Sequence, residues 1–404
     1  MAHRLTGNAR DPLAVAEPPG KPPVWQDARV RAFVFQVLTL AGVVGIGVFI
    51  VSNTLANLSK QGIASGFDFL DRTAGFGISM SLLEYAEEHT YLRAFLVGLL
   101  NTLLASSIGI VLATILGFVL GIMRLSRNWL VATLAAAYVE VVRNVPLLLQ
   151  IFFWYFGILR QLPGPHQSMT VLDVLFLNNR GLFAPRPIPE PGFIATPVAF
   201  VVALVAVVGL ARRARRRRDR TGERFPTARV ALAFLVGLPL LAAAATGFPL
   251  RWEYPALEGF NFVGGMELIP ELVALVVALS TYTAAFIGEI VRAGILGVSR
   301  GQTEAGQALG LARGRLLRLV IIPQALRIII PPLTSQYLSL TKNSSLAAAI
   351  AYPDLVLVFA GTVLMQTGQA VEIIAITMAV YLTISLLISL FMNWYNRRIA
   401  LVER

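Results

Sequence analysis

The sequence predicts an all-α, polytopic membrane protein of about eight transmembrane helices. Three observations lead there. Of 404 residues, 56% are hydrophobic and 14% charged, where a soluble domain carries about a quarter charged residues. Several apolar runs exceed the ~18 residues needed to cross a hydrocarbon core of ~30 Å. The residue-by-residue alternation of a membrane β-barrel is absent.

Taken in order, residues 1–31 form a polar, proline-containing tail with five Lys/Arg. The run Ala32–Leu55 is too long for a signal-peptide core and lacks a clear cleavage site, so it reads as a retained first helix. A polar outer segment follows to residue 92 and holds Glu84, Glu87 and Glu88. Further spans fall at about 93–123, 129–160, 194–211, 229–248, 268–296, 331–361 and 370–396. Outside the spans, 24 Lys/Arg lie on the side of the N-terminus and 7 on the other; Arg143, Arg292 and Lys342 remain within spans. Cytoplasmic loops carry the excess, so both termini are expected in the cytoplasm. The run ARRARRRRDR at 211–220 is the strongest anchor, a topology clamp or an anionic-lipid site.

Composition also excludes. There is no cysteine, hence no disulfide or thiolate metal site. His3, His89 and His166 are isolated, and none stands in H-E-x-x-H spacing, so neither a catalytic metal nor any other cofactor is expected. Lys21, Lys60 and Lys342 are the three lysines, and none lies in G-K-[ST]. The chain therefore has no P-loop, and any driving ATP must bind another subunit. The net charge of +12 sits on residues that flank spans, which argues against nucleic acid.

One basic stretch stands apart: SRGQTEAGQALGLARGRLLRLVIIPQALR, from Ser299 to Arg327. Ser299 and Gln302 are spaced as a capping box, so a short helix is expected from about Arg300. Ala305, Ala308 and Leu309 share one face of it. Gly310 stands where the helix needs positive φ to stop. A second helix is expected over 312–322, ended by Pro323. Such an elbow suits docking in a cytosolic partner, or lying on lipid headgroups.

Here a resemblance enters. EAGQALGLARGRLLRLVIIP resembles the E-A-A-x3-G-x9-I-x-L-P signature of permease subunits of ABC importers, with Glu304, Ala305, Gly310 and Pro323 in register. Gly306, Val320 and Ile322 depart from it mildly. YVEVVRNVPLLLQIFFWYFGI (138–158), GLLNTLLASSIGIVLATILGFVLGI (98–122), EIVRAGILGVSRGQTEAGQALGL (289–311) and PPLTSQYLSLTKNSSLAAAI (331–350) are similar to the polar amino-acid (histidine/glutamine) uptake branch. The likeness covers 93–160 and 266–404, which implies a five-helix permease core. The first helix with its outer segment (32–92) and an insertion (161–265) with two spans and a basic cytoplasmic loop lie outside it. That layout is similar to the longer permeases of general L-amino-acid systems. The resemblance implies that Glu304, Ala305, Ala308, Leu309, Gly310, Leu311 and Pro323 belong to a coupling elbow, 299–323, seated in an ATPase subunit. It implies as partners two copies of that ATPase, a second homologous permease, a periplasmic amino-acid-binding protein and an L-amino-acid substrate, in a bacterial inner membrane.

Charges inside spans are costly and usually face a cavity or one another. Glu140 with Arg143, and Glu289 with Arg292, stand at i, i+3 and are close enough to pair. Lys342 sits in a polar cluster with Ser344. A zwitterion needs a cation for its carboxylate and an acceptor for its ammonium. These residues, with Ser280, Tyr282 and Thr283 near a midplane, are the candidate substrate path; helix packing explains them as well. Pro146 should break the third helix near Arg143. Two other functions fit parts of the sequence. An ion-coupled carrier would use Glu140 and Glu289, but needs no docking elbow. A hydrolase built on Ser344 and Lys342 has no further motif.

Overall fold

The computed structural model describes residues 27–60, 66–222 and 225–399. Most of the N-terminal tail and the last five residues lie outside the described residues. The chain divides at Gly66 into two units. The first holds α1 (Ala28–Lys60). Its Phe33, Phe35 and Phe49 point outward, and it is apolar all round, as a membrane span is.

The second unit holds α2 (Tyr91–Arg124), α3 (Trp129–Asn144), α4 (Leu147–Phe152), α5 (Ala195–Thr221), α6 (Thr227–Ala245), α7 (Pro270–Leu296), α8 (Arg300–Ala308), α9 (Arg313–Leu316), α10 (Ile322–Asn343), α11 (Leu364–Thr367) and α12 (Ala370–Ile399). Among the described residues six helices are long and apolar enough to cross a membrane, or seven if the bent pair Trp129–Asn144 and Leu147–Gln161 is one span. The remaining expected span is a shorter apolar helix, Arg229–Ala245.

The centre is a seam between α2 and α7. Gly109, Ala113, Gly117 and Gly121 recur once per turn on α2 and are all buried. A Cβ at Gly117 would fall 2.5 Å from Ile287, and one at Gly121 2.6 Å from Val291. Small residues let the backbones approach where lipid supplies no hydrophobic drive. Leu275, Leu279, Ile287, Ile329 and Leu340 fill the core around this seam.

Two expected boundaries move. The helix after the elbow does not stop at Pro323; the membrane helix runs from Arg313 to Ile350. A π-helical stretch, Leu317–Ile321, precedes Pro323, which sits in the first turn of α10. That local rewinding absorbs the proline's missing donor and ring clash. Conversely, the expected span 331–361 is divided. Ala351 turns left-handed (φ 61°), Pro353 follows, and a separate π-helical segment, Val356–Val363, leads into α11.

The segments flanking the α5–α6 hairpin carry strands that the sequence pattern does not announce. β1 (Met169–Val171), β2 (Leu175–Asn178) and β3 (Gly181–Ala184) precede α5, with β4 (Arg186–Pro189). β5 (Leu250–Glu253), β6 (Ala256–Glu258), β7 (Asn261–Val263) and β8 (Met266–Leu268) follow α6. One sheet runs β1-β2-β3-β8, and β4 pairs with β5, antiparallel throughout. The segments before and after the α5–α6 hairpin are thus stitched together and lie at one end of it. The arginine run 211–220 lies at the other end, on the last turns of α5.

Residues 67–90 pack on the helical core. Phe69 stacks on Phe359 at 6.3 Å, and Asn101 donates from Nδ2 to the carbonyls of Met80 and Pro353, both at 2.9 Å.

Candidate functional site

Two groups of residues carry the functional question: the charges on the inner helices, and the elbow. The third span is broken where proline predicts. α3 and the helix after it meet at a bend of 106°, with Pro146 extended (ψ 138°). The break frees carbonyls, and side chains take them up. Gln150 Nε2 donates to Val142 and Val145, each at 2.9 Å. Asn144 donates to Glu140 at 2.8 Å. The broken end is therefore closed by its own side chains.

The expected Glu140–Arg143 pair is not formed. Both residues are exposed, and the Arg143 guanidinium lies over the Phe286 ring, 5.0 Å from its centroid. Tyr282 packs on the same ring at 5.0 Å. The ring face attracts the cation, and this draws Arg143 toward α7 and away from its own helix. Tyr138 makes a second tie, its hydroxyl donating to the Thr281 carbonyl at 2.9 Å.

The Glu289–Arg292 pair is formed, with Arg292 donating to Glu289 at 2.6 Å. Arg124, from the last turn of α2, takes the other carboxylate oxygen. Arg124 belongs to a loop by span counting, so this third partner was missed. The trio clamps α2 to α7 beside Gly121. One carboxylate between two guanidiniums is already saturated with donors.

Ser280 and Thr283 are buried, and Ser280 donates to Val276 on its own helix at 2.6 Å. Ser344 is buried and donates to the Thr341 carbonyl at 2.7 Å. Lys342 is exposed, and among the described residues its ammonium meets no hydrogen-bond or ion-pair partner. Among the described residues neither Arg143 nor Lys342 is in an ion pair, although the Arg143 charge still acts on Glu289 of α7. Sequence reading also missed Asp354, buried at the start of the Val356–Val363 segment. One of its oxygens accepts from the Leu357 N–H at 2.8 Å, and the other has no partner among the described residues. A lone carboxylate inside an apolar run was the signal.

In the elbow, α8 runs Arg300–Ala308. Its capping box is not made. Ser299 gives no side-chain cap, and Gln302 instead accepts from Gln324 of α10 at 3.2 Å. The stop is a Schellman turn. Gly310 has φ 71°, Leu311 N–H reaches the Gly306 carbonyl at 3.1 Å, and Gly310 N–H reaches Gln307 at 2.9 Å. Leu316 lies over Gly306, where a Cβ would come 2.3 Å from it; that is why glycine suits this position. The other face is open: Glu304, Ala305 and Ala308 are exposed, and Leu309 is 81% exposed. Leu311 and Pro323 are half-buried on the inner side.

Residues 109–401 match the family described as binding-protein-dependent transport system inner membrane component. The chain belongs to that family. It is a multi-pass membrane subunit of an ABC importer, and ATP hydrolysis rests on a separate subunit. The family works with ATPase and binding-protein partners. The chain is 59% identical to the putative amino-acid ABC transporter permease protein YhdX of Escherichia coli, over 93% of this chain and 95% of that one. It is 53% identical to the general L-amino acid transport system permease protein AapQ of Rhizobium johnstonii, over 94% of each. It is 40% identical to the glutamate/glutamine/aspartate/asparagine transport system permease protein BztB of Rhodobacter capsulatus, over 94% and 96%. Matches of this length take in most of the 161–265 insertion.

Proposed function

We propose that the chain is a permease of an importer of polar L-amino acids. It pairs with a second, related permease, two ATPase copies and a periplasmic amino-acid-binding protein. The names and full-length similarity of its relatives support the substrate class. The 24 to 7 division of Lys/Arg supports a cytoplasmic position for both termini, the 211–229 loop and the elbow, in a bacterial inner membrane. In this reading 32–92 and 161–265 are additions to a five-helix core, and Arg143 and Lys342 meet the substrate carboxylate along the path.

The observation that carries the reading is the outer face of α8. Ala305, Ala308 and Leu309 are exposed beside Glu304 on a helix locked by the Gly310 turn. Seated in the ATPase, this face passes nucleotide-driven movement to α7 and α10. Gly310→Val forces a β-branched residue to positive φ. Glu304→Lys reverses the one charge on the docking face. Both variants should insert normally and lose binding-protein-stimulated ATP hydrolysis by about tenfold or more, the scale of a 1.4 kcal/mol defect. Co-purification of the ATPase and stimulated hydrolysis measure this. Normal association and stimulation in both variants would return the elbow to a helix resting on lipid.

A further inference from the structure

Behind α8, on the side away from its exposed apolar face, lies a cleft of about 730 Å3. This is within the ~300–1,000 Å3 range of ligand sites. Arg127 reaches it from the turn between α2 and α3, Arg300 from the start of α8, and Arg313 from the start of α9. Three separate segments thus bring three arginines to the lining of one cleft. Among the described residues none of them pairs with a carboxylate, and Glu304, one turn beyond Arg300, does not reach it. Thr303 and Gln307 add polar groups, while Leu296, Val298, Leu311 and Leu317 supply an apolar floor. Leu296 remains 59% exposed and Leu317 41% exposed.

The cleft sits where α7 ends, at Leu296, and the next membrane helix begins, at Arg313. That is the level of the lipid headgroups. Guanidiniums match phosphate oxygens in paired hydrogen bonds. An apolar floor serves no purpose for a free inorganic anion, but it matches the glycerol and upper chain of a lipid. We propose that this cleft holds one anionic phospholipid, its phosphate among Arg127, Arg300 and Arg313 and its apolar part against Leu296 and Leu317. The lipid fills the space between the elbow and the ends of the membrane helices and stiffens their connection. The site is independent of which solute is carried.

The test uses the full-length chain, purified in detergent and stripped of lipid. Phosphatidylglycerol, phosphatidylcholine and inorganic phosphate are offered in turn, and retained lipid is counted by native mass spectrometry. Wild type should keep one tightly held phosphatidylglycerol and no phosphatidylcholine. The triple variant Arg127→Gln/Arg300→Gln/Arg313→Gln should bind that lipid about a hundredfold more weakly, from ~1 kcal/mol per basic residue. Thr303→Trp, which crowds the cleft wall beside Arg300 and keeps all three charges, should also loosen its hold. Melting temperature separates a lost site from a lost fold, and Thr303→Trp decides if the triple variant unfolds. Equal retention by wild type and Thr303→Trp overturns the proposal. So does displacement of the lipid by inorganic phosphate at matching concentration, which would make the ligand a soluble anion.

Discussion

The α2–α7 seam and the α8–α9 elbow use the same residue types to opposite ends. In the seam, small residues bring backbones together, and Glu289 is neutralised by Arg124 and Arg292. In the elbow, a glycine stops a helix with its apolar face open, and Arg300 and Arg313 beside it meet no carboxylate among the described residues. Groups satisfied inside the chain hold it together. Groups left unsatisfied at a defined geometry are directed at something outside it. Arginine count alone cannot separate the two; partners can.

The comparison can be broken most forcefully at the seam. Gly117→Val with Gly121→Val places side chains where even a Cβ comes within 2.5 Å and 2.6 Å of α7. Overpacking costs about 1–3 kcal/mol per site, and the two should together abolish a monodisperse, folded chain on size-exclusion chromatography. A normal elution profile would show that the seam is looser than described. A smaller effect is expected from the two cations on the inner helices that form no ion pair among the described residues. Arg143→Ala and Lys342→Ala should each cut transport by about tenfold, one 1.4 kcal/mol contact, while assembly persists. If both lose assembly, these residues belong with the seam; if both transport normally, they do not touch substrate. The gentlest probe perturbs nothing. The chain has no cysteine, so Ser81→Cys, at an exposed position that the proposed orientation places outside, should react with a membrane-impermeant maleimide in intact cells. Labelling only after lysis would invert the orientation and take the elbow out of reach of an ATPase.

Much of this architecture could be read from sequence, and the limits have physical causes. Pro146 and Gly310 act locally, through a missing donor and a positive φ, and both did what their chemistry dictates. The Arg124–Glu289 contact joins residues 165 positions apart, and no local pattern encodes that. Arg143 lies over Phe286 of another helix rather than pairing with Glu140, and Gln302 meets Gln324 of α10 rather than its own N-terminus; local spacing carries no information about such tertiary partners. The strands β1 to β8 are three or four residues long, too short for alternation to register. Pro323 misled because a π-helical turn absorbed it.

The stitching of the strands on either side of it bears on how the hairpin α5–α6 could come and go. Glu190 N–H meets the Pro249 carbonyl at 3.1 Å, and Pro189 faces Leu250 across β4 and β5. The chain leaves for the hairpin and returns from it through one narrow neck. A whole hairpin attached at a neck is a cassette: splicing residue 190 to residue 249 through a short turn removes it without stretching anything on either side. Any property that depends on residues 191–248 can thus be lifted out or transplanted as one piece.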